Sequence, residues 1–186
     1  VRLMIFGRVQ GVGLRPAIAR LAEELELAGE VGNTAQGVAL VLEGPRIAVD
    51  SFVAELHKHL PPEARLDSVQ VDQTAVAHRS GFHIVAGVDD APIRTEVPRD
   101  LNVCPSCLAE ISDTSDRRYG HPFTSCTDCG PRLTIITGVP YDRARTTMAG
   151  FPMCAACQAE YDDPGNRRFH AQPTCCPDCG PRLRLL

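Results

Sequence analysis

The 186-residue chain has no tryptophan, only 5% aromatic residues, and a single lysine, Lys58. Its first 103 residues contain no cysteine. No apolar run approaches the ~18 residues of a membrane-spanning helix, and the N-terminus lacks the basic-then-apolar order of a secretory signal. These absences argue against a helical membrane protein and against a disulfide-built first half. The shortage of lysine and a formal charge of −4 argue against a bulk electrostatic grip on nucleic acid. What remains is of ordinary globular composition, 44% hydrophobic and 23% charged. Fifteen glycines and fifteen prolines predict many turns and short elements. The length allows one large domain or two small ones. The chain opens at Val1 rather than methionine, as expected of either a fragment or a processed chain.

All nine cysteines lie after residue 103, and they organise the second half. Cys104-x-x-Cys107 and Cys126-x-x-Cys129 recur fifty positions later as Cys154-x-x-Cys157 and Cys176-x-x-Cys179. Other residues keep the same period: Glu110 with Glu160, Arg117-Arg118 with Arg167-Arg168, and Asp128-Cys-Gly-Pro-Arg-Leu133 with Asp178-Cys-Gly-Pro-Arg-Leu183. This is an internal repeat of form C-x2-C-x18-C-x2-C. A divalent zinc ion takes four thiolates in a tetrahedron, and each C-x2-C turn supplies two from one backbone bend. Two structural Zn2+ ions are therefore expected, held by Cys104, Cys107, Cys126, Cys129, Cys154, Cys157, Cys176 and Cys179. Local pairing within each repeat and swapped pairing across repeats are both open. A disulfide framework is opposed by the odd count and the missing signal, and four motifs are too many for a redox C-x2-C. Reduced cysteines without a signal point to the cytoplasm.

Cys175 aligns with Ser125 in the other repeat and reads as a spare thiol. His121 and His170 read as loop histidines beside the metal sites, with surrogate ligation as the alternative. Arg117-Arg118 and Arg167-Arg168 read as a solvated loop face or, alternatively, as partner contacts. From residue 101 onward nine arginines balance nine acidic residues, which disfavours phosphate-backbone binding.

The first ninety residues have strand and helix periodicity. Leu3 to Phe6 is a short apolar run before a glycine turn, and Ile18, Leu21, Ala22 and Leu25 follow at helical spacing behind Pro16. Val31 and Val38–Leu42, separated by Gln36-Gly37, predict a hairpin. Val49, Phe52, Val53, Leu56 and Leu60 predict a second helix, stopped at Pro61-Pro62. Val69–Val76 and Phe82–Val85 supply a closing strand or two. The order β-α-β-β-α-β is α+β and ferredoxin-like, with two helices on one face of an antiparallel sheet. The expected division is a first domain at 1–88, a linker at 89–100, and a loop-rich tandem finger domain at 101–186.

Between the first strand and first helix lies Gly7-Arg-Val-Gln-Gly-Val-Gly-Leu-Arg15. Glycines there can turn successive N–H groups inward as an anion nest, the helix start adds orphan donors, and Arg15 adds a guanidinium fork. The spacing is neither a Walker motif nor a dinucleotide fingerprint. Glycine would serve equally in a bare structural turn, so the residues alone leave both open.

That segment, followed by Gly29-Glu-Val-Gly-Asn33, resembles the acylphosphatase signature. Leu14 stands where that signature usually has phenylalanine. An acylphosphatase-like domain followed by two four-cysteine units is similar to the N-terminal portion of HypF-type carbamoyltransferases of NiFe-hydrogenase maturation. The resemblance implies hydrolysis of carbamoyl phosphate, with Gln10, Gly11, Val12, Gly13, Leu14 and Arg15 forming the phosphate cradle. Arg15 would hold the phosphate, and Asn33 would orient the attacking water. It also implies ATP use in further domains, a partner protein accepting the carbamoyl group on its C-terminal cysteine, and cyanide ligands as the final product. No acid or histidine lies within Gly7–Arg15, and an acyl phosphate, with its good leaving group, needs charge stabilisation and positioning more than a base. A second class of function is a zinc-ribbon protein-binding adaptor with an inactive ferredoxin-like domain.

Overall fold

In the computed structural model, residues 1–88, 91–96 and 99–184 are described. The chain divides into two compact units: Val1–Pro98 together with Gly138–Asp142, and Arg99–Thr137 together with Arg143–Leu186. The short segment Gly138–Asp142 thus packs with the first unit, although its place in the sequence is within the finger half. Part of the linker expected at 89–100 lies outside the described residues. No helix among those described is long and apolar enough to cross a membrane.

The first unit runs β1 (Arg2–Arg8), α1 (Leu14–Glu24), β2 (Ala28–Thr34), β3 (Val38–Glu43), α2 (Arg46–Glu55), β4 (Arg65–Asp72) and β5 (Phe82–Val88). A 3-10 turn, Leu56–His59, extends α2 to the prolines. The five strands form one sheet ordered β4-β1-β3-β2-β5. This is the expected ferredoxin-like α+β arrangement with an added edge strand. One boundary differs: β4 begins at Arg65, earlier than the apolar pattern suggested, and it ends at Asp72, with no strand over residues 73–81. As an edge strand facing water, β4 has little apolar alternation to mark its ends.

Side-chain periodicity explains the core. In β3, Val38, Leu40 and Leu42 are buried while the intervening residues are not. Ile18, Leu21 and Ala22 of α1 and Phe52 of α2 are buried as well, as are Leu3 and Ile5 of β1 and Val31 of β2. The hairpin turn is held by Thr34, whose Oγ1 accepts from the N–H groups of Gln36 and Gly37 at 3.2 and 3.1 Å.

Direction matters more than order for the chemistry. Strands β1 and β2 each pair antiparallel with β3, so they run the same way, and β5 is parallel to β2. The C-terminal ends of β1, β2 and β5 therefore share one edge of the sheet. The Gly7–Arg15 segment leaves β1 there, Asn33 lies near the end of β2, and Gly87 near the end of β5.

The second unit is built on two short helices, α3 (Pro105–Ser112) and α4 (Ala155–Asp162), with 3-10 turns elsewhere. Each begins one residue after the first cysteine of its repeat. Cys104 sits at the N-cap of α3, where its sulfur accepts from the Cys107 N–H at 3.4 Å.

Leu40 is fully buried in the central strand. Leu40→Ala should lower the free energy of amide exchange in β1 and β3 by about 2–5 kcal/mol, read by hydrogen–deuterium exchange.

Candidate active site and cysteine clusters

The loop between β1 and α1 is built on positive backbone angles. Gly11 has φ 72° and Gly13, the N-cap of α1, has φ 78°, a region that strains any residue with a Cβ. These turns bring the start of α1 onto the sheet edge. Val12 and Leu14 are buried, so neither side chain is available to a ligand. Leu14, in place of the usual phenylalanine, is 1% exposed and fills its position as an apolar side chain.

Gln10 has a role the sequence did not indicate. It is buried, and its Nε2 donates to the carbonyls of Thr34 and Gly37 at 2.7 and 2.8 Å. Its Oε1 accepts from the Tyr141 N–H at 2.8 Å. The side chain thus staples the loop to the hairpin and leaves only its backbone for a cradle.

Arg15 and Asn33 come together. Arg15 Nη2 donates to the Tyr141 carbonyl at 3.0 Å, and Asn33 Nδ2 donates to the same oxygen at 2.6 Å. Both residues are buried. The remaining arm of Arg15, Nη1, is paired with Asp142 Oδ1 at 2.5 Å, and Asp142 Oδ2 accepts from the Gly87 N–H at 2.8 Å. Asn33 Oδ1 is buried with no hydrogen-bond partner among the described residues. Tyr141 and Asp142 were not foreseen from the sequence, because no spacing rule links Arg15 to a residue 127 positions away.

The cysteines form two four-membered clusters. Cys104, Cys107, Cys126 and Cys129 make one, and Cys154, Cys157, Cys176 and Cys179 the other, each with its sulfurs within 4.8 Å. Pairing is thus local to each repeat. Sulfur–sulfur separations are 3.6 Å for Cys104–Cys126, 3.9 Å for Cys126–Cys129, 3.8 Å for Cys154–Cys176 and 3.6 Å for Cys179–Cys157. A tetrahedron with zinc–sulfur bonds of about 2.3 Å has edges of about 3.8 Å, so the donor set fits that ion.

The second arginine of each pair is not part of a solvated face, whereas Arg117 is exposed and Arg167 half-buried. Arg118 and Arg168 are each 2% exposed, and Arg118 is among the largest fully buried side chains. Each reaches into the other repeat. Arg118 binds the Glu160 carboxylate through two nitrogens and the Cys175 carbonyl through Nε, while Arg168 does the same with Glu110 and the Ser125 carbonyl. Their neighbours touch sulfur: Arg117 Nη2 lies 3.2 Å from Cys157 Sγ and Arg167 Nη1 2.9 Å from Cys107 Sγ. Positive charge from one repeat therefore sits against the thiolates of the other, where it offsets the excess negative charge of a four-thiolate centre. Burial alone would raise the Glu110 carboxyl, but hydrogen bonds and charge from Arg168 and Arg167 outweigh it and hold the group below its ordinary range. Glu160 is held down likewise by Arg118 and Arg117 against the effect of burial.

His121 stands outside both clusters, with Nε2 3.4 Å from Cys175 Sγ. Burial, followed by the charge of Arg118, holds its imidazole below the usual range. Cys175 is buried and belongs to neither cluster, and burial pushes its thiol up to about 11.

An acylphosphatase-type sheet followed by tandem four-cysteine fingers is the class that this geometry defines, and comparison with known proteins agrees. Residues 1–84 match the Acylphosphatase family, and residues 103–136 and 153–186 each match the HypF finger. An acylphosphatase of Thermus thermophilus is 40% identical over 82 residues, covering 44% of this chain and 92% of that protein. The first unit belongs to the acylphosphatase family, and the chain as a whole is similar to the acylphosphatase and finger portion of HypF carbamoyltransferases. The Carbamoyltransferase HypF of Synechocystis is 46% identical over 151 residues, covering 81% of this chain and 20% of the relative. A crystal structure of full-length HypF in the phosphate- and nucleotide-bound form matches with a TM-score of 0.90 and 44% identity, over 96% of this chain and 24% of that one. The chain thus spans about a fifth of the length of the curated HypF relatives it matches.

Removing one partner from a buried ion pair leaves an uncompensated charge. Glu160→Ala, which strands Arg118, should destabilise the finger unit by about 3–5 kcal/mol, and Glu110→Ala should do the same for Arg168. Denaturant unfolding monitored by amide exchange in α3 and α4 measures both. Because the folded-state carboxyl is depressed in each pair, this stabilisation is present above the ordinary value of 4.5 and lost as pH falls below it.

Proposed function

We propose that the chain hydrolyses carbamoyl phosphate and thereby supplies the carbamate that a carbamoyltransferase activates. The observation that carries this reading is the single oxygen of Tyr141 bound at once by Arg15 and Asn33. Two buried donors converging on one oxygen make a place for a phosphoryl oxygen, with the turns at Gly11 and Gly13 and the start of α1 alongside. Arg15 is the phosphate clamp, and backbone N–H groups of Gln10–Leu14 complete the cradle. Asn33 is the positioning group for the nucleophile, its unpartnered Oδ1 accepting a proton bond from the attacking water.

The water attacks phosphorus in line with the acyl oxygen. A new phosphorus–oxygen bond forms, the bond to the acyl oxygen breaks, and carbamate leaves with the electron pair. The water proton passes to a phosphate oxygen, so no side-chain base is required. Arg15 stabilises the charge on the equatorial oxygens, and this electrostatic contribution is the largest the site offers.

Each cysteine cluster holds one Zn2+ in a structural role, tying a C-x2-C turn at a helix start to a second C-x2-C turn downstream. Activation of carbamate by ATP, and its transfer to the C-terminal cysteine of an acceptor protein on the way to the cyanide ligands of a NiFe hydrogenase, would use residues beyond these 186. The setting for this chemistry is the cytoplasm.

In the intact chain, Arg15→Ala should reduce hydrolysis of carbamoyl phosphate by about a hundred- to a thousand-fold, measured as phosphate release. Asn33→Ala should lower kcat with a smaller effect on KM, since its role is toward the water. Wild-type turnover in Arg15→Ala would overturn the assignment, and a catalytically silent chain would favour a protein-binding adaptor.

Metal analysis should find two zinc ions per chain, unchanged in Cys175→Ser. A chelator should release them and unfold the finger unit while amide protection of β1–β3 persists. A folded finger unit with one zinc or none would reject the proposal.

A further inference from the structure

The catalytic pair of the proposed site is already engaged, and by residues of this same chain. Segment Gly138–Asp142 belongs to the compact unit that contains Arg15 and Asn33. Its Tyr141 carbonyl takes one arm of Arg15 together with the Asn33 amide, and its Asp142 carboxylate takes the other arm. Gln10 receives the Tyr141 N–H, and Gly87 gives its own N–H to Asp142. Every one of these contacts is made at the shared C-terminal edge of β1, β2 and β5. An anionic carboxylate and a neighbouring carbonyl thus present to the guanidinium and the amide what a phosphate would present: oxygens, one of them charged.

The seat is tightly fitted. Arg15 and Asp142 expose only 8% and 18% of their side chains. A Cβ built on Gly87 would lie 2.6 Å from Asp142 Oδ2 and 3.0 Å from the Pro140 side chain, so only glycine leaves room for the segment where it sits.

We infer that Tyr141–Asp142 is an intramolecular competitor for the phosphate site, an autoinhibitory plug that acyl phosphate must displace before Arg15 and Asn33 can act. The inference rests on the reading of Arg15 as the phosphate clamp. It follows from exclusive use of donors: a guanidinium arm bonded to a half-buried carboxylate is not free for a phosphoryl oxygen, and a second anion against Asp142 is repelled. A phosphate dianion carries more charge and more acceptor oxygens than a carboxylate, which lets substrate displace the plug at a cost in affinity. That cost appears in KM and in phosphate binding, in proportion to the fraction of molecules in which the site is open.

The test uses the whole 186-residue chain and inorganic phosphate as the probe, titrated calorimetrically, with KM for carbamoyl phosphate measured in parallel. Asp142→Ala and the more conservative Asp142→Asn should bind phosphate about ten- to a hundred-fold more tightly than the unaltered chain, with KM falling in step. Gly87→Ala, which crowds the carboxylate without removing it, should shift both quantities in the same direction. Phosphate affinity that is unchanged or weaker in both folded Asp142 variants overturns the plug, and weaker binding makes Asp142 a support for Arg15 instead. Arg15→Ala in the Asp142→Ala background separates the two readings. If that change leaves phosphate binding intact, the anion site itself is misassigned. If it abolishes binding while the Asp142 substitutions alone have no effect, only the plug fails.

Discussion

A guanidinium cannot lose its water without receiving other oxygens in exchange, and three buried arginines set much of this molecule's architecture by that rule. Arg15 receives the Asp142 carboxylate and the Tyr141 carbonyl, Arg118 receives Glu160 and the Cys175 carbonyl, and Arg168 receives Glu110 and the Ser125 carbonyl. In each case one carboxylate and one backbone oxygen replace the hydration shell. Arginine suits this better than lysine because its planar fork can serve two acceptors at fixed angles while keeping its charge. A chain with one lysine and many arginines is what such a construction uses.

In the finger unit the exchange is reciprocal, and reciprocity follows from duplication. Once a unit carries both an Arg-Arg pair and a Cys-x-x-Glu helix start, two copies can satisfy each other by an approximate two-fold relation, as identical subunits do across an isologous interface. The buried charge then ties the repeats together, and the neighbouring Arg117 and Arg167 reach the thiolates of the opposite cluster. A small unit with few buried aliphatic side chains obtains its order from metal-ligating sulfur and paired charge rather than from a large apolar core.

In the first unit the rule is applied at the site proposed to take phosphate. The fold brings Arg15 and Asn33 to one edge because β1 and β2 run in the same direction beside their common partner β3. Glycine at positions 11 and 13 lets the backbone turn into α1 at once, so the guanidinium arrives at the sheet edge rather than a turn farther away. A buried guanidinium placed there needs an anion beside it, and Asp142 is the one the chain provides.

The elements themselves were legible in the amino-acid sequence. Period-two burial in Val38–Leu42, helical spacing at Ile18, Leu21 and Ala22, and the hairpin at Gln36-Gly37 are local patterns, written by nearest neighbours and their common face. The glycine-flanked Arg15 and the fifty-residue cysteine period were equally plain. The start of β4 was less so, because an exposed edge strand lacks an apolar rhythm. Tertiary structure alone decided the rest: that the cysteines pair within each repeat, that Arg118 and Arg168 are buried rather than solvated, and that Tyr141 and Asp142 occupy Arg15 and Asn33. All three are matters of which distant groups share one point in space. A sequence records local periodicity directly, whereas the partner of a buried charge is chosen by the fold that removes its water.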